Sequence, residues 1–135
     1  MNERSATRVG LHVQEASPRE TVAAIARAEQ AGIRAAWLTT GGLGPDGITV
    51  LAAAAPQTRT IRLGTSIVPT YPRHPLALVQ QALVVADLAP GRFILGVGPS
   101  HRHAIEGIFG IPFGKPLEHL REYLTILRQA LQQGE

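Results

Sequence analysis

The sequence predicts a parallel α/β fold, and three observations carry that expectation. Apolar runs of strand length alternate four times with helical patterns. The connections are short, which implies right-handed βαβ units and a parallel sheet. The fourth run, Phe93-Ile94-Leu95, leads into Gly96-Val97-Gly98-Pro99-Ser100-His101. Glycines at the carboxyl end of a strand let backbone approach a ligand closely, and ligands bind at that end of parallel sheets. Two architectures fit: a doubly wound open sheet and part of a (βα)8 barrel.

The elements follow in order. Val9-Gly10-Leu11-His12-Val13 reads as the first strand. Ser17-Pro18-Arg19-Glu20 then opens a helix, with Ser17 as cap, Pro18 at the first helical position and Glu20 completing a capping box. That helix carries Val22, Ile25 and Ala26 on one face, and Gly32 ends it in a left-handed cap. The second strand is Ala35-Ala36-Trp37-Leu38-Thr39. A glycine-rich loop, residues 41–47, contains Asp46, the cap of a short helix through Ala55. Residues 61–68 form the third strand. Pro75 opens a helix with Leu76, Val79, Leu83 and Ala86 expected on its inner side. Pro90-Gly91 turns into the fourth strand, after which a glycine-rich connection leads to a last helix carrying Leu117, Leu120, Leu124, Leu127 and Leu131, read with Tyr123 as core.

A (βα)8 barrel runs to about 250 residues, so four units amount to half of one. The last helix ends near Gln133-Gly134-Glu135, where a further strand is due. Residues 1–135 are therefore read as the N-terminal half of a longer, barrel-sized domain.

Composition narrows the function. Hydrophobic residues make up 44% and charged residues 17%, as in globular domains rather than disordered chains. Lys+Arg 13 against Asp+Glu 10 leaves a net charge of +3, Lys115 is the only lysine, and aromatics are 4%. The arginines are scattered, so neither the basic stripe nor the stacking rings of a nucleic-acid binder are present. With Cys 0, disulfides, thiolate nucleophiles and cysteine-bound zinc are excluded. Met1-Asn2-Glu3-Arg4-Ser5 lacks the apolar core of a secretory signal, and apolar runs such as residues 51–55 are too short to span a membrane. The default reading is a cytoplasmic protein with no membrane partner.

The motifs each have two readings. Gly96-Val97-Gly98 lacks the third glycine of a dinucleotide fingerprint, because position 101 is His. It is either a tight turn or a backbone cradle for a phosphate or ring. The hydroxyls of Thr65, Ser66 and Thr70, like those of Thr39 and Thr40, either bond local backbone or face a planar heterocycle. His101 and His103 flank Arg102 after the glycine turn. Acid–base work or contact with an anionic cofactor suits them better than metal binding, for which no third ligand is evident, and solvated loop histidines are the other reading. His12 either lines the mouth of a barrel or is a satisfied core histidine; His74 and His119 read as peripheral. No Ser/His/Asp nucleophile set can be assembled, which suits an enzyme whose cofactor carries the chemistry.

With these residues in view, the chain resembles the luciferase-like monooxygenase superfamily, and more narrowly its branch of oxidoreductases that use the deazaflavin coenzyme F-420. The matching pieces are Ala31-Gly32-Ile33 through Trp37-Leu38, residues 61–69, His74-Pro75, residues 88–98, and Pro116 through Leu120-Arg121-Glu122-Tyr123-Leu124. The resemblance implies a (βα)8 barrel with the tricyclic ring across the carboxyl ends of the strands. It further implies a non-proline cis peptide at Ser66-Ile67, forming a bulge behind that ring. Val68 and Thr70 would continue the cofactor wall, Gly98, Pro99 and Ser100 would form the loop touching the coenzyme, and Thr40 would line the site. Many relatives carry an Asp-His pair where this chain has Thr40 and Gly41, and some a glutamate where it has His101, so the resemblance offers His101 as a substitute catalytic group or else a direct hydride transfer that needs little help from the protein. The implied reaction is hydride transfer between F-420 and a small organic substrate. The alternatives are flavin mononucleotide (FMN) in the same pocket, running a monooxygenation, and a non-catalytic remnant domain. The expected partner is a second copy, in a homodimer, or the second half of the barrel.

Overall fold

The computed structural model describes residues 9–133; the residues read for a leader, 1–5, and Gly134 and Glu135 lie outside them. Four parallel strand positions form one curved layer, with helices along its outer side. The elements are β1 (Leu11–His12), α1 (Pro18–Gln30), β2 (Ala35–Leu38), α2 (Gly47–Ala54), β3 (Arg62–Thr65), β4 (Val68–Pro69), α3 (Pro75–Leu88), β5 (Phe93–Ile94), β6 (Val97–Gly98), α4 (Arg102–Phe109) and α5 (Pro116–Gln133). One sheet runs β1-β2-β3-β5, and β4 pairs with β6 beyond it, all parallel.

The third and fourth strands of the sequence reading are thus each split in two. The break in the third falls at Ser66-Ile67, whose peptide bond is cis. Backbone pairing resumes on its far side, where Val68 N–H donates to the Gly96 carbonyl and Thr70 N–H to the Gly98 carbonyl, both at 2.9 Å. Across the gap, the buried Thr65 hydroxyl donates to the Gly96 carbonyl and accepts from the Gly96 N–H, each at 2.8 Å. One side chain thereby replaces a missing rung of the ladder. Gly96 has no room for more, since a Cβ there would lie 2.1 Å from the Thr65 carbonyl oxygen.

Local signals explain the helices. Ser17 accepts the Glu20 N–H, which is the bond of the expected box that forms, and Gly32 takes φ +84. Asp46 caps α2 through the Thr49 N–H at 3.0 Å, and a 3-10 turn, Ala55–Gln57, continues α2 past Ala54. His74, read as peripheral, caps α3 by accepting the Leu76 N–H on Nδ1. The connection after β6, read as glycine-rich, contains α4, anchored by the fully buried Ile105 and closed by Gly110 at φ 65.

The core lies between sheet and helices, with Ile25, Ile48, Leu51, Ile61, Leu63, Leu78 and Val85 almost inaccessible. In α1, Thr21 and Ala28 join Val22 and Ile25 on the buried face while Ala26 is half-buried. Two faces differ from the sequence reading. Helix α3 buries Leu78, Val79, Ala82 and Val85, whereas Leu76, Leu83 and Ala86 are exposed. It is apolar nearly all round, so periodicity does not select the side that packs. In α5 the buried residues are Tyr123 and Leu127; Leu120 and Leu131 are half-buried, and Leu117 and Leu124 are exposed. The leucine stripe is wider than the surface that α5 lays on α3.

Two charged side chains lock the amino-terminal end of the sheet. Arg92 donates to the carbonyls of Ala55, Thr58 and Ile61 and to the Thr58 hydroxyl, at 3.0–3.3 Å. Its cation meets the carboxyl end of α2 and the following turn, where the helix dipole favours positive charge. Glu29 accepts the N–H groups of Arg59, Thr60 and Ile61 and the Thr60 hydroxyl. Burial pushes its carboxyl up, but those donors outweigh it and hold the pKa at about 2.

Two outcomes are expected. Gly96→Ala should destabilise the chain by about 1–3 kcal/mol in urea unfolding, because the added methyl forces β5 and β6 away from Thr65. Glu29 contributes stability above the unfolded carboxylate pKa and loses it as pH falls toward about 2. Melting temperatures of Glu29→Gln should therefore lie below the parent's at neutral pH and converge with them as pH falls through that window.

Candidate functional site

At the carboxyl ends of the strands, β2 places alternate side chains on opposite faces of the sheet. Trp37 and Thr39 project to the inner face, away from the helices, while Leu38 is buried on the helix side. The Trp37 indole spreads over both neighbouring strands. A Cβ at Gly10 would lie 2.5 Å from its Nε1, and one at Gly64 2.3 Å from its Cζ3. Glycine at both positions makes room for the ring. Beside it an open recess is lined by Gly10, His12, Trp37, Thr65, Ser66 and Ile67.

The recess has a polar rim. Thr39 donates its hydroxyl to the Ser66 carbonyl at 2.7 Å, and the His12 Nε2 lies 3.0 Å from the same hydroxyl. His12 is exposed, the barrel-mouth alternative of its two readings. Thr40 N–H donates to the Ile67 carbonyl at 3.2 Å, so backbone from both sides of the break is tied to the end of β2.

The predicted cofactor-site residues divide into two groups. Ser66 is exposed and Ile67 half-buried, and both line the recess. Gly98 backs Ile67, with a built Cβ 3.4 Å from Ile67 Cγ1. Pro99 and Ser100 are half-buried on the loop that follows, where Ser100 takes φ 64. The others face elsewhere. The Thr40 hydroxyl accepts the Gly47 N–H at 2.9 Å, on the α2 side of the sheet. Val68 and Thr70, at 0% and 1% exposure, lie behind the surface rather than on it.

His101 is exposed at the N-cap of α4, with no capping bond from its side chain. His103 sits within α4, its ring 5.7 Å from that of His101. Among the described residues no group of three or more His, Asp or Glu side chains could hold a metal ion.

The structure adds His119, read from sequence as peripheral. Its Nε2 is 2.9 Å from the Thr70 hydroxyl, and its ring stacks on Tyr71 with centroids 3.8 Å apart. Burial pulls its pKa below the ordinary histidine value, with Glu122 acting the other way. Positions 119, 123 and 127 fall on one helical stripe, a signal that the leucine pattern masks. Close by, the Tyr123 hydroxyl is buried without a partner among the described residues, and burial pushes its pKa up to about 12 against the nearby Arg73. Arg73 itself pairs with Asp46 at 2.8 Å and joins the β4–α3 connection to the α2 cap. Burial pushes the Asp46 carboxyl up, but bonds from Thr49 and Arg73 outweigh it and hold the carboxyl below its usual value.

The sequence profile of the luciferase-like monooxygenases matches residues 4–135. The chain belongs to that family. Within it, the chain is 39% identical over 112 residues to a Mycobacterium tuberculosis protein bearing the name of a coenzyme F-420-dependent oxidoreductase. That match covers 83% of this chain and 32% of the relative. It is 36% identical over 134 residues to the F-420-dependent glucose-6-phosphate dehydrogenase of Beutenbergia cavernae, covering 90% of this chain and 39% of the enzyme. Among solved structures, the coenzyme F-420 dependent tetrahydromethanopterin reductase from Methanopyrus kandleri superposes with TM-score 0.77 at 26% identity, over 90% of this chain and 38% of that one. The FMN-bound oxygenating constituent of 3,6-diketocamphane monooxygenase from Pseudomonas putida gives TM-score 0.76 at 23% identity, a likeness of fold, over the same shares. The chain thus spans between 32% and 39% of the length of these relatives, and it has the fold of the first four βα units of their barrel.

Asp46 ties the amino end of α2 to the connection between β4 and α3. Asp46→Ala removes the α2 cap and the Arg73 pair together and should cost about 1–2 kcal/mol in equilibrium unfolding.

Proposed function

We propose that this chain is the N-terminal half of an F-420-dependent oxidoreductase barrel and that it supplies the wall on which the coenzyme's ring rests. The observation carrying this reading is the break at Ser66-Ile67. It turns Ile67 and the Ser66 carbonyl toward the open recess at the carboxyl ends of the strands, in a chain related to proteins named for F-420. The residues fit a planar ring. Ile67, supported by Gly98, offers an apolar face, and the His12 and Thr39 side chains form a polar edge beside it.

When bound, the deazaflavin supplies the hydride chemistry, accepting a hydride from or giving one to a small organic substrate. The protein's own share is placement. Ser66 and Ile67 back the ring, while the main chain of Gly98, Pro99 and Ser100 approaches its edge. Val68 and Thr70 act from behind, as buried support for that wall. Thr40 acts through the backbone bond that anchors the Ile67 carbonyl. His101, the catalytic candidate of the sequence reading, is exposed at the N-cap of α4, where a substrate could reach it.

The structural partner in this reading is the remainder of the barrel, or a second copy standing in for it. Among the described residues β1 and β5 are open sheet edges, and Val9 and Leu11 expose apolar surface beside one of them. No helix among the described residues is long and apolar enough to cross a membrane.

The test is titration of the 135-residue chain with F-420 and, separately, with FMN, followed by fluorescence, with light scattering on the same samples. Saturable binding of F-420 in preference to FMN is expected, and preference for FMN would move the reading to a monooxygenase. A folded chain that binds neither is not itself the enzyme: the activity would belong to a longer parent, or, where light scattering shows a stable dimer, the chain would be a non-catalytic interaction domain. Gly98→Val should weaken binding by about tenfold, or 1.4 kcal/mol, because the branched side chain displaces Ile67 from the ring face.

A further inference from the structure

Thr70 is 1% exposed, and among the described residues its hydroxyl has a single hydrogen-bond partner, the His119 Nε2. Its main chain is engaged on the other side, donating to the Gly98 carbonyl at 2.9 Å. Thr70 therefore joins the end of β6 through its amide and the first turns of α5 through its side chain.

His119 is fixed by more than that bond. Its ring lies at 14° to the Tyr71 ring, and the Tyr71 hydroxyl donates to the Gly114 carbonyl at 2.6 Å. Phe113 packs on Tyr71 at 4.9 Å, and the Arg102 guanidinium sits 5.2 Å above the Phe113 ring. Glu106 closes the cluster by accepting the Phe113 N–H and pairing with Arg102. Three segments distant in sequence, the end of β4, α4 and the start of α5, meet at this imidazole and its neighbours.

With the ring proton on Nδ1 the His119 Nε2 accepts from the Thr70 hydroxyl, and with it on Nε2 the roles reverse; either way the two groups are each other's partner. An apolar residue at 119 would leave that hydroxyl unpartnered in a buried place, and the end of β4 would have to shift to hydrate it. The shift would act on the bond between Thr70 and Gly98, the residue at which the glycine loop begins.

We propose that His119 is a positioning residue: through Thr70 it holds the end of β4 against Gly98 and so fixes the backbone that backs Ile67 of the recess. The connection to coenzyme binding rests on the function proposed above; the holding role does not.

The experiment compares the parent 135-residue chain with His119→Ala, His119→Gln and Thr70→Val by amide hydrogen exchange without ligand and by F-420 titration. In His119→Ala, exchange of the Thr70 amide should rise roughly three- to tenfold, the loss of one buried hydrogen bond. The Leu63 amide, bonded to the Arg92 carbonyl in the central sheet, should keep its protection. His119→Gln should restore most of the Thr70 protection, because its amide oxygen can accept the same hydroxyl. F-420 affinity should fall and recover in the same order, and adding Thr70→Val to His119→Ala should cost little more. Unchanged Thr70 exchange in His119→Ala would overturn the proposal, as would an equal rise at Leu63 or failure of glutamine to restore protection. If the parent binds no ring but His119→Ala still frees the Thr70 amide, the coenzyme reading falls and the holding role stands.

Discussion

A single hydroxyl carries the joint on which the carboxyl end of this sheet depends. Where the third strand breaks, Thr65 bonds both the N–H and the carbonyl of Gly96, and strand pairing restarts one step further out. Without that substitute rung the gap would leave the Gly96 N–H unpaired between two strands, a costly position for a buried group. With it, β4 and β6 continue the layer and the intervening residues are free to face the recess. Gly96 is glycine because its Cβ would collide with the Thr65 carbonyl. The joint therefore needs both residue types at once.

The two ends of the sheet are built for different purposes. At the amino-terminal end, Glu29 and Arg92 gather backbone donors and acceptors from several connections, and both are saturated by that work. At the carboxyl end, polar groups remain turned toward the open recess. His12 and Thr39 form a short relay to the Ser66 carbonyl beside the broad face of Trp37, and nothing in the relay is consumed by a helix cap. The division matches the general behaviour of parallel α/β folds, in which one end of the strands confers stability and the other meets ligands.

Between these lies a layer of support that contacts no recess yet shapes it. Thr70 with His119, and Asp46 with Arg73, connect strand ends to helices through buried or half-buried bonds.

Much of this was legible in the sequence. Alternating apolar runs gave the parallel order, while Ser17, Asp46, Pro75 and Gly32 marked helix ends by local chemistry that needs no tertiary partner. The resemblance located the break at Ser66-Ile67. Other features required the folded chain. Thr39 and Thr40 are adjacent and identical in type, so only the phase of β2 against its neighbours decides which faces the recess and which caps α2. The packed side of α3 could not be read from a helix that is apolar nearly all round. His119 looked peripheral because its partner lies 49 residues away, and a contact of that kind leaves no local trace. Local backbone preference and periodicity thus determined the elements and their order, because each acts within a few residues. The facing of side chains and their long-range hydrogen bonds were decided only by the folded chain, because they depend on what the neighbouring strand or helix brings.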